Sequence, residues 1–217
     1  MYISCCRYRD IPACCMECGL RMARIKNTRA LNKAVWIVGE GATEWYYFSH
    51  LKAINGYHCK LPAAVFSNSG LTKLAQAIDK VQSDAAKVIC VFDADIKRKT
   101  AQDALNFDKF VNKYKDTNVI LCDSMQSIEY WFLLHYKDTN RDFNNSAAVE
   151  AELTNYIDGY TKQKRFLEKD NWVKEMLKDD KLEKACSRAE SYLSSTDGDF
   201  SYSKIYLAIN ELKKNFQ

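Results

Sequence analysis

Glu40, Asp93 and Asp95 are the residues whose types and spacing could do chemistry together. Asp93 and Asp95 stand two apart at the end of the apolar run Val88-Ile89-Cys90-Val91-Phe92. In extended chain both side chains point the same way. Adjacent carboxylates repel, and a hard divalent cation such as magnesium, which takes oxygen ligands, is the usual compensation. The alternative for this pair alone is a solvated, Asp-rich loop after a core strand. Glu40 follows another apolar run, Ala34 to Val38, and Asp123 follows a third, Val119 to Cys122. If these runs are parallel strands, their ends share one sheet edge, where ligand sites form. Glu40, Asp93, Asp95 and Asp123 would gather there and, without metal, hold raised pKa values. Such a set suits magnesium acting on a phosphodiester, with manganese as the substitute ion. The metal neutralises charge developing on phosphate oxygens and activates water.

Lys97-Arg98-Lys99 follows directly, within reach of a nucleic-acid backbone or simply a solvated loop. Glu44 lies four residues beyond Glu40, facing the same side if a helix begins early, or serving only as a partner of the helix dipole. Glu129 sits in an otherwise apolar segment, where an unpaired buried acid is costly. It either reaches the acidic edge or pairs with a lysine. His135 is six residues on, nearly opposite that face, and fits a packed histidine better than a catalyst. Trp131, Phe132 and Tyr136 fit a core better than a base-stacking platform.

The elements that must position these residues alternate. Strands are expected at Lys33–Val38, Leu61–Phe66, Lys87–Phe92 and Asn118–Cys122, with helices between them. Gly39-Glu40-Gly41 forms a turn, and Thr43 is the expected cap of the first helix. Leu71, Leu74, Ile78 and Val81 repeat at helical spacing, as do Leu105, Phe107, Phe110 and Tyr114. This order implies a parallel, four-stranded α/β sheet with right-handed crossovers. Beyond residue 125 the segments 128–136, 146–157, 172–177, 182–193 and 205–212 read as helices, a mainly helical part packed on the core. The organisation is thus an N-terminal extension over 1–32, an α/β core over 33–125 and a helical part over 126–217.

Composition bounds the reading. Of 217 residues, 47% are hydrophobic and 28% charged, a globular balance with only 7 Gly and 2 Pro to serve as linkers. Residues 1–32 hold six basic and two acidic residues, the whole of the net charge of +4. The rest is formally neutral, so attraction for nucleic acid must come from a local patch. Five of the nine cysteines lie in the first 18 residues, including Cys15-Met16-Glu17-Cys18, but a second pair at zinc spacing is missing. Cys90 and Cys122 lie in apolar runs and read as core thiols of a cytoplasmic protein. No apolar run approaches the ~20 residues of a membrane span. Met22-Ala23-Arg24-Ile25-Lys26 has the look of a natural start, which would make residues 1–21 dispensable.

Val38-Gly39-Glu40-Gly41-Ala42-Thr43-Glu44 and Val91-Phe92-Asp93-Ala94-Asp95 resemble the two signature motifs of Toprim domains. Ser127-Ile128-Glu129-Tyr130-Trp131-Phe132-Leu133-Leu134-His135 resembles the F-E-x-W-x-L-L-H helix of the RloB-like branch. Tyr160-Thr161-Lys162 resembles its Y-x-K, and Ser203 to Leu212 its terminal helix. Ile128 stands where the family has Phe, and Asp199 to Ser203 lacks the family's Asn-Pro-Ser-Thr. The resemblance implies a magnesium-dependent nuclease in which Asp93 and Asp95 ligate the metal and Glu40 is a further ligand or general acid/base. It draws Glu129 toward the metal edge. Lys162, by its type alone, is a candidate phosphate contact or simply a surface lysine. The resemblance also implies a prokaryotic anti-phage or restriction setting, with DNA or RNA as substrate and an ATPase partner. Two rivals remain: a haloacid-dehalogenase-type phosphatase, in which Glu40 has no role, and a non-catalytic subunit that binds nucleic acid or an ATPase.

Overall fold

Residues 33–63, 66, 70–195 and 200–214 are described by the computed structural model. The Cys15–Cys18 pair and the start at Met22 lie outside them. The chain opens with β1 (Ala34–Gly39), α1 (Ala42–Asn55), β2 (Cys59–Lys60), α2 (Leu71–Gln82) and β3 (Ala85–Asp93). A 3-10 turn (Asp95–Arg98), α3 (Ala101–Tyr114) and β4 (Val119–Met125) follow. Next come α4 (Ile128–Leu134), α5 (Ser146–Leu153), α6 (Lys164–Leu167), α7 (Asn171–Met176) and α8 (Lys181–Ser195). β5 (Tyr202–Ser203) and α9 (Ile205–Lys214) close the chain.

The sheet has the order β2-β1-β3-β4-β5, parallel except for β5, which runs antiparallel to β4. Val88 to Phe92 in β3 are all buried, as a strand covered on both faces requires. From β1 the chain steps outward to β2, then returns past β1 to β3 and on to β4. Right-handed crossovers of that path put α1 on one face and α2 and α3 on the other. The winding therefore reverses between β1 and β3, and the crevice beyond their C-terminal ends is where open α/β sheets take ligands.

Several expectations are corrected. Among the described residues the sheet has five strands rather than four, and one is antiparallel. The second strand lies at Cys59–Lys60 rather than Leu61–Phe66, because Pro62 lacks the N–H that further pairing would use. Gly41, not Thr43, stands at the cap of α1; its carbonyl accepts the Trp45 N–H at 3.3 Å. Thr43 lies buried inside the helix. β4 runs three residues beyond Cys122, so Asp123 lies within the strand rather than after it. Asp123 is buried because partners meet it: Tyr202 O–H donates to Oδ2 at 2.6 Å and Lys204 Nζ reaches Oδ1 at 2.8 Å. The same contacts, with a Ser124–Ser203 hydroxyl pair at 2.8 Å, hold β5 onto the sheet.

α4 is buried along its whole length and forms the centre of the C-terminal half. Trp131 Nε1 donates to Tyr47 Oη at 2.8 Å, and the Phe132 ring packs 5.0 Å from Tyr47 and 5.2 Å from Trp172. These aromatics are core, as their sequence pattern predicts. Tyr136 is half-buried and stacks on Tyr156. Cys90 and Cys122 are buried free thiols. No described helix is long and apolar enough to cross a membrane.

Candidate active site

Gly39, the last residue of β1, pairs with Val91 of β3. That register brings Glu40 level with the end of β3. Its Oε2 accepts the Asp93 N–H at 2.9 Å and its Oε1 accepts the Gly70 N–H at 3.4 Å. Glu40 thus ties the end of β3 to the start of α2. The Asp93 carboxylate accepts the Ile128 N–H at 3.1 Å, which fixes the start of α4 over β3. Asp95 opens the 3-10 turn and pairs with Lys99, one turn on, at 3.1 Å.

Glu44 lies in the first turn of α1 and is only 5% exposed. Two glycines make room around it. A Cβ on Gly41 would lie 3.2 Å from a Glu44 carboxylate oxygen; one on Gly39 would lie 2.7 Å from the Phe66 ring and 3.3 Å from Glu44 Cβ. Gly41 is extended, so its value here is space rather than backbone freedom. Glu129 is fully buried on α4. Tyr160 O–H donates to its Oε1 at 2.9 Å, and Lys162 Nζ lies 3.2 Å from the same oxygen. Lys162 also pairs with Glu150 at 2.8 Å. The other Glu129 oxygen, Oε2, is buried without a hydrogen-bond partner.

These acids act on one another. Burial raises the Asp93 carboxyl well above its ordinary value, and Glu44, Glu129 and Glu40 add to the rise while Lys162 opposes it. Burial pushes Glu44 up to about 7, reinforced by Glu129 and Glu40 and opposed by its own backbone N–H and by Lys162. Glu40 is raised by burial and by Asp95, and held down by the Asp93 and Gly70 N–H groups and by Lys99. Four carboxylates, one just after β1 and the others on α1, β3 and α4, are therefore close enough to feel each other where burial removes them from water.

Of the residues singled out in the sequence, Glu40, Glu44, Asp93 and Glu129 come together. Asp95 sits at their edge, and Asp123 does not join them. Glu129 both reaches the acidic edge and pairs with a lysine. Lys97 turns inward: its Nζ donates to Tyr202 Oη at 3.1 Å and lies over the Tyr202 and Phe107 rings. Arg98 pairs with Asp142 at 3.3 Å on the surface. His135 is a packed histidine. Its Nδ1 lies 3.0 Å from the Trp131 carbonyl, and burial lowers its pKa to about 4. The sequence reading gave no role to Tyr160, although it stands in the Y-x-K motif, nor to Glu150, which carries no local signal. The four-residue spacing of Asp95 and Lys99 could have disclosed their pairing.

Among the described residues, no three His, Cys, Asp or Glu side chains are grouped so as to hold a metal ion as they stand. Both Glu40 oxygens accept backbone N–H groups, and Asp95 is engaged by Lys99. What fits a hard divalent ion is the chemistry of the set. It offers only carboxylate oxygens, its mutual repulsion is offset only in part by Lys162 and Lys99, and one buried oxygen of Glu129 lacks a partner.

Fold and site together define an α/β protein with a carboxylate cluster at the switch point of a mostly parallel sheet. The chain matches the RloB-like protein family over residues 35–212 and belongs to that family. Neither the search of curated proteins nor that of solved structures returns a match.

Proposed function

We propose that the chain is a Toprim-type, magnesium-dependent nuclease that hydrolyses phosphodiester bonds of nucleic acid. One observation carries the proposal: Glu40, Glu44, Asp93 and Glu129 converge near the ends of β1 and β3, where burial and mutual repulsion raise the Asp93 and Glu44 carboxyls above their ordinary values. A structural role would be better served by neutral residues, because buried acids without counter-ions cost stability. Asp93, Asp95 and Glu40 would hold the ion, Lys99 giving up Asp95 to it. The ion supplies charge neutralisation at phosphate oxygens and activation of water.

The protein's own residues supply the rest. Glu44, titrating at about 7, is tuned for proton transfer near neutral pH. Glu129, oriented by Tyr160, adds negative charge to the ion's surroundings. Arg98 and Lys162, both on the surface, are the candidates for phosphate contact, whereas Lys97 braces the turn after Asp95 against Tyr202. The same reading extends to prokaryotic anti-phage defence with an ATPase partner, on the strength of the motif resemblance.

The test is a cleavage panel of DNA, RNA and tRNA with magnesium or manganese. Cleavage should vanish with a chelator and fall at least about a hundredfold in Asp93→Asn, the scale of losing a charge-stabilising group. Activity that survives both would remove the mechanism. A second reading, a non-catalytic subunit, is favoured by the internal engagement of Glu40 and Asp95. Nucleic-acid binding without cleavage, retained when Asp93 and Asp95 are both changed to Asn, would select it.

A further inference from the structure

Lys162 bridges two carboxylates of opposite character. Glu129 is fully buried in α4, and the Glu150 side chain is 34% exposed on α5. The Lys162 side chain is itself 41% exposed. It stands three residues after Gly159, whose positive φ of 65° marks a turn outside the packed helices. Yet the compensation is partial: one Glu129 oxygen stays buried and unpartnered.

We propose that Lys162 is a displaceable internal counter-ion, holding Glu129 in the metal-free protein and yielding toward Glu150 when a divalent cation enters the acid cluster. The inference rests on the metal-dependent reading above. Three features make displacement feasible. Tyr160 donates to Glu129 independently, so the carboxylate keeps an orienting bond when the lysine leaves. Glu150, already 2.8 Å from Nζ, is a partner at the surface to which the ammonium can retire. A dication beside Asp93 would both repel the ammonium and replace its charge, and in a desolvated crevice that exchange is felt strongly. Lys99 on Asp95 is the lesser competitor. Both of its partners are substantially exposed, at 60% and 37%, where an ion pair is worth little.

Isothermal titration of the full chain with manganese alone tests this, without nucleic acid or turnover. Lys162→Met should bind manganese about tenfold more tightly than wild type, because a competing cation is gone. Its melting temperature in chelator should fall, since the buried acids lose their counter-ion. Glu150→Gln, at a half-exposed site, should act in the opposite sense and weaken manganese about threefold by leaving the ammonium to Glu129. If Lys162→Met does not fold, Glu150→Gln decides, and unchanged or tighter binding there overturns the proposal. So does unchanged or weaker binding in a folded Lys162→Met. Wild type that binds manganese while both variants match it overturns the counter-ion role alone. Wild type that binds none overturns this role and the metal reading together.

Discussion

Glu44 keeps its proton to about pH 7 because it is buried beside Glu129 and Glu40. Its ordinary value is 4.5, so the folded state holds this proton more tightly than the unfolded chain does. Folding therefore takes up a proton between those two pH values. Stability contributed here is full below about pH 4.5, falls as pH rises to about 7, and is level above that. The span corresponds to about 3 kcal/mol. Glu44→Gln should flatten the metal-free melting profile across this window, and an unchanged slope would place the ionisation elsewhere. His135 works in the other direction, since burial lowers it from 6.5 to about 4 and stability is lost as pH falls through that range. The comparison must therefore be made against wild type at each pH. Asp93→Asn should raise the melting temperature in chelator by a few degrees while abolishing cleavage. The amide removes the charge but keeps an oxygen for the Ile128 N–H. At this scale the sequence disclosed that Glu40, Asp93 and Glu129 could meet, because each follows an apolar run or interrupts one, but by the same signal it gathered Asp123, which pairs with Tyr202 and Lys204 instead. It did not disclose that Tyr160 and Lys162 both close on Glu129, because 31 and 33 positions of chain separate them from it and only tertiary packing brings them together.

Among the elements, the turn from β1 into α1 is the most constrained. Gly39 passes so close to Phe66 that any side chain must displace the ring. Gly39→Ala should cost about 1–3 kcal/mol by overpacking, read as a lower denaturant midpoint at unchanged slope. Gly41→Ala should cost much less, because it meets only the end of the Glu44 carboxylate, 3.2 Å away, but it should shift the titration of Glu44. Equal losses from the two substitutions would mean that space around Glu44 is not what these glycines provide. β3 was legible because Val88 to Phe92 is an unbroken buried run, and α2 because its apolar residues recur at helical spacing. β2 and β5 were not. Each is two residues long, too short for alternation to register, and each is specified by pairing with a distant strand. The extension of β4 to Met125 was hidden for a related reason. Asp123 and Ser124 look like a strand end until Tyr202, Lys204 and Ser203 are in position to satisfy them.

For the molecule as a whole, topology converts sequence order into a site. The chain winds outward from β1 and back past it to β3, which sets residues 40 and 93 side by side although 53 positions separate them. α4, delivered by the end of β4, then covers the same edge with Glu129. The α/β class and the convergence of Glu40, Asp93 and Glu129 were legible in the alternation of elements and in the motifs. The pairing of Lys162 with Glu129 and Glu150 was not, whereas that of Lys99 with Asp95 was open to the four-residue spacing. The partners of Lys162 are fixed by tertiary geometry that periodicity does not encode. Whether the acid cluster is a cation site is tested most directly by anomalous scattering from a manganese-soaked crystal. An anomalous peak bounded by the carboxylates of Glu40, Asp93 and Asp95 is expected, absent from Asp93→Asn crystals soaked in the same way. A peak at some other position, or one that persists unchanged in Asp93→Asn, would contradict it.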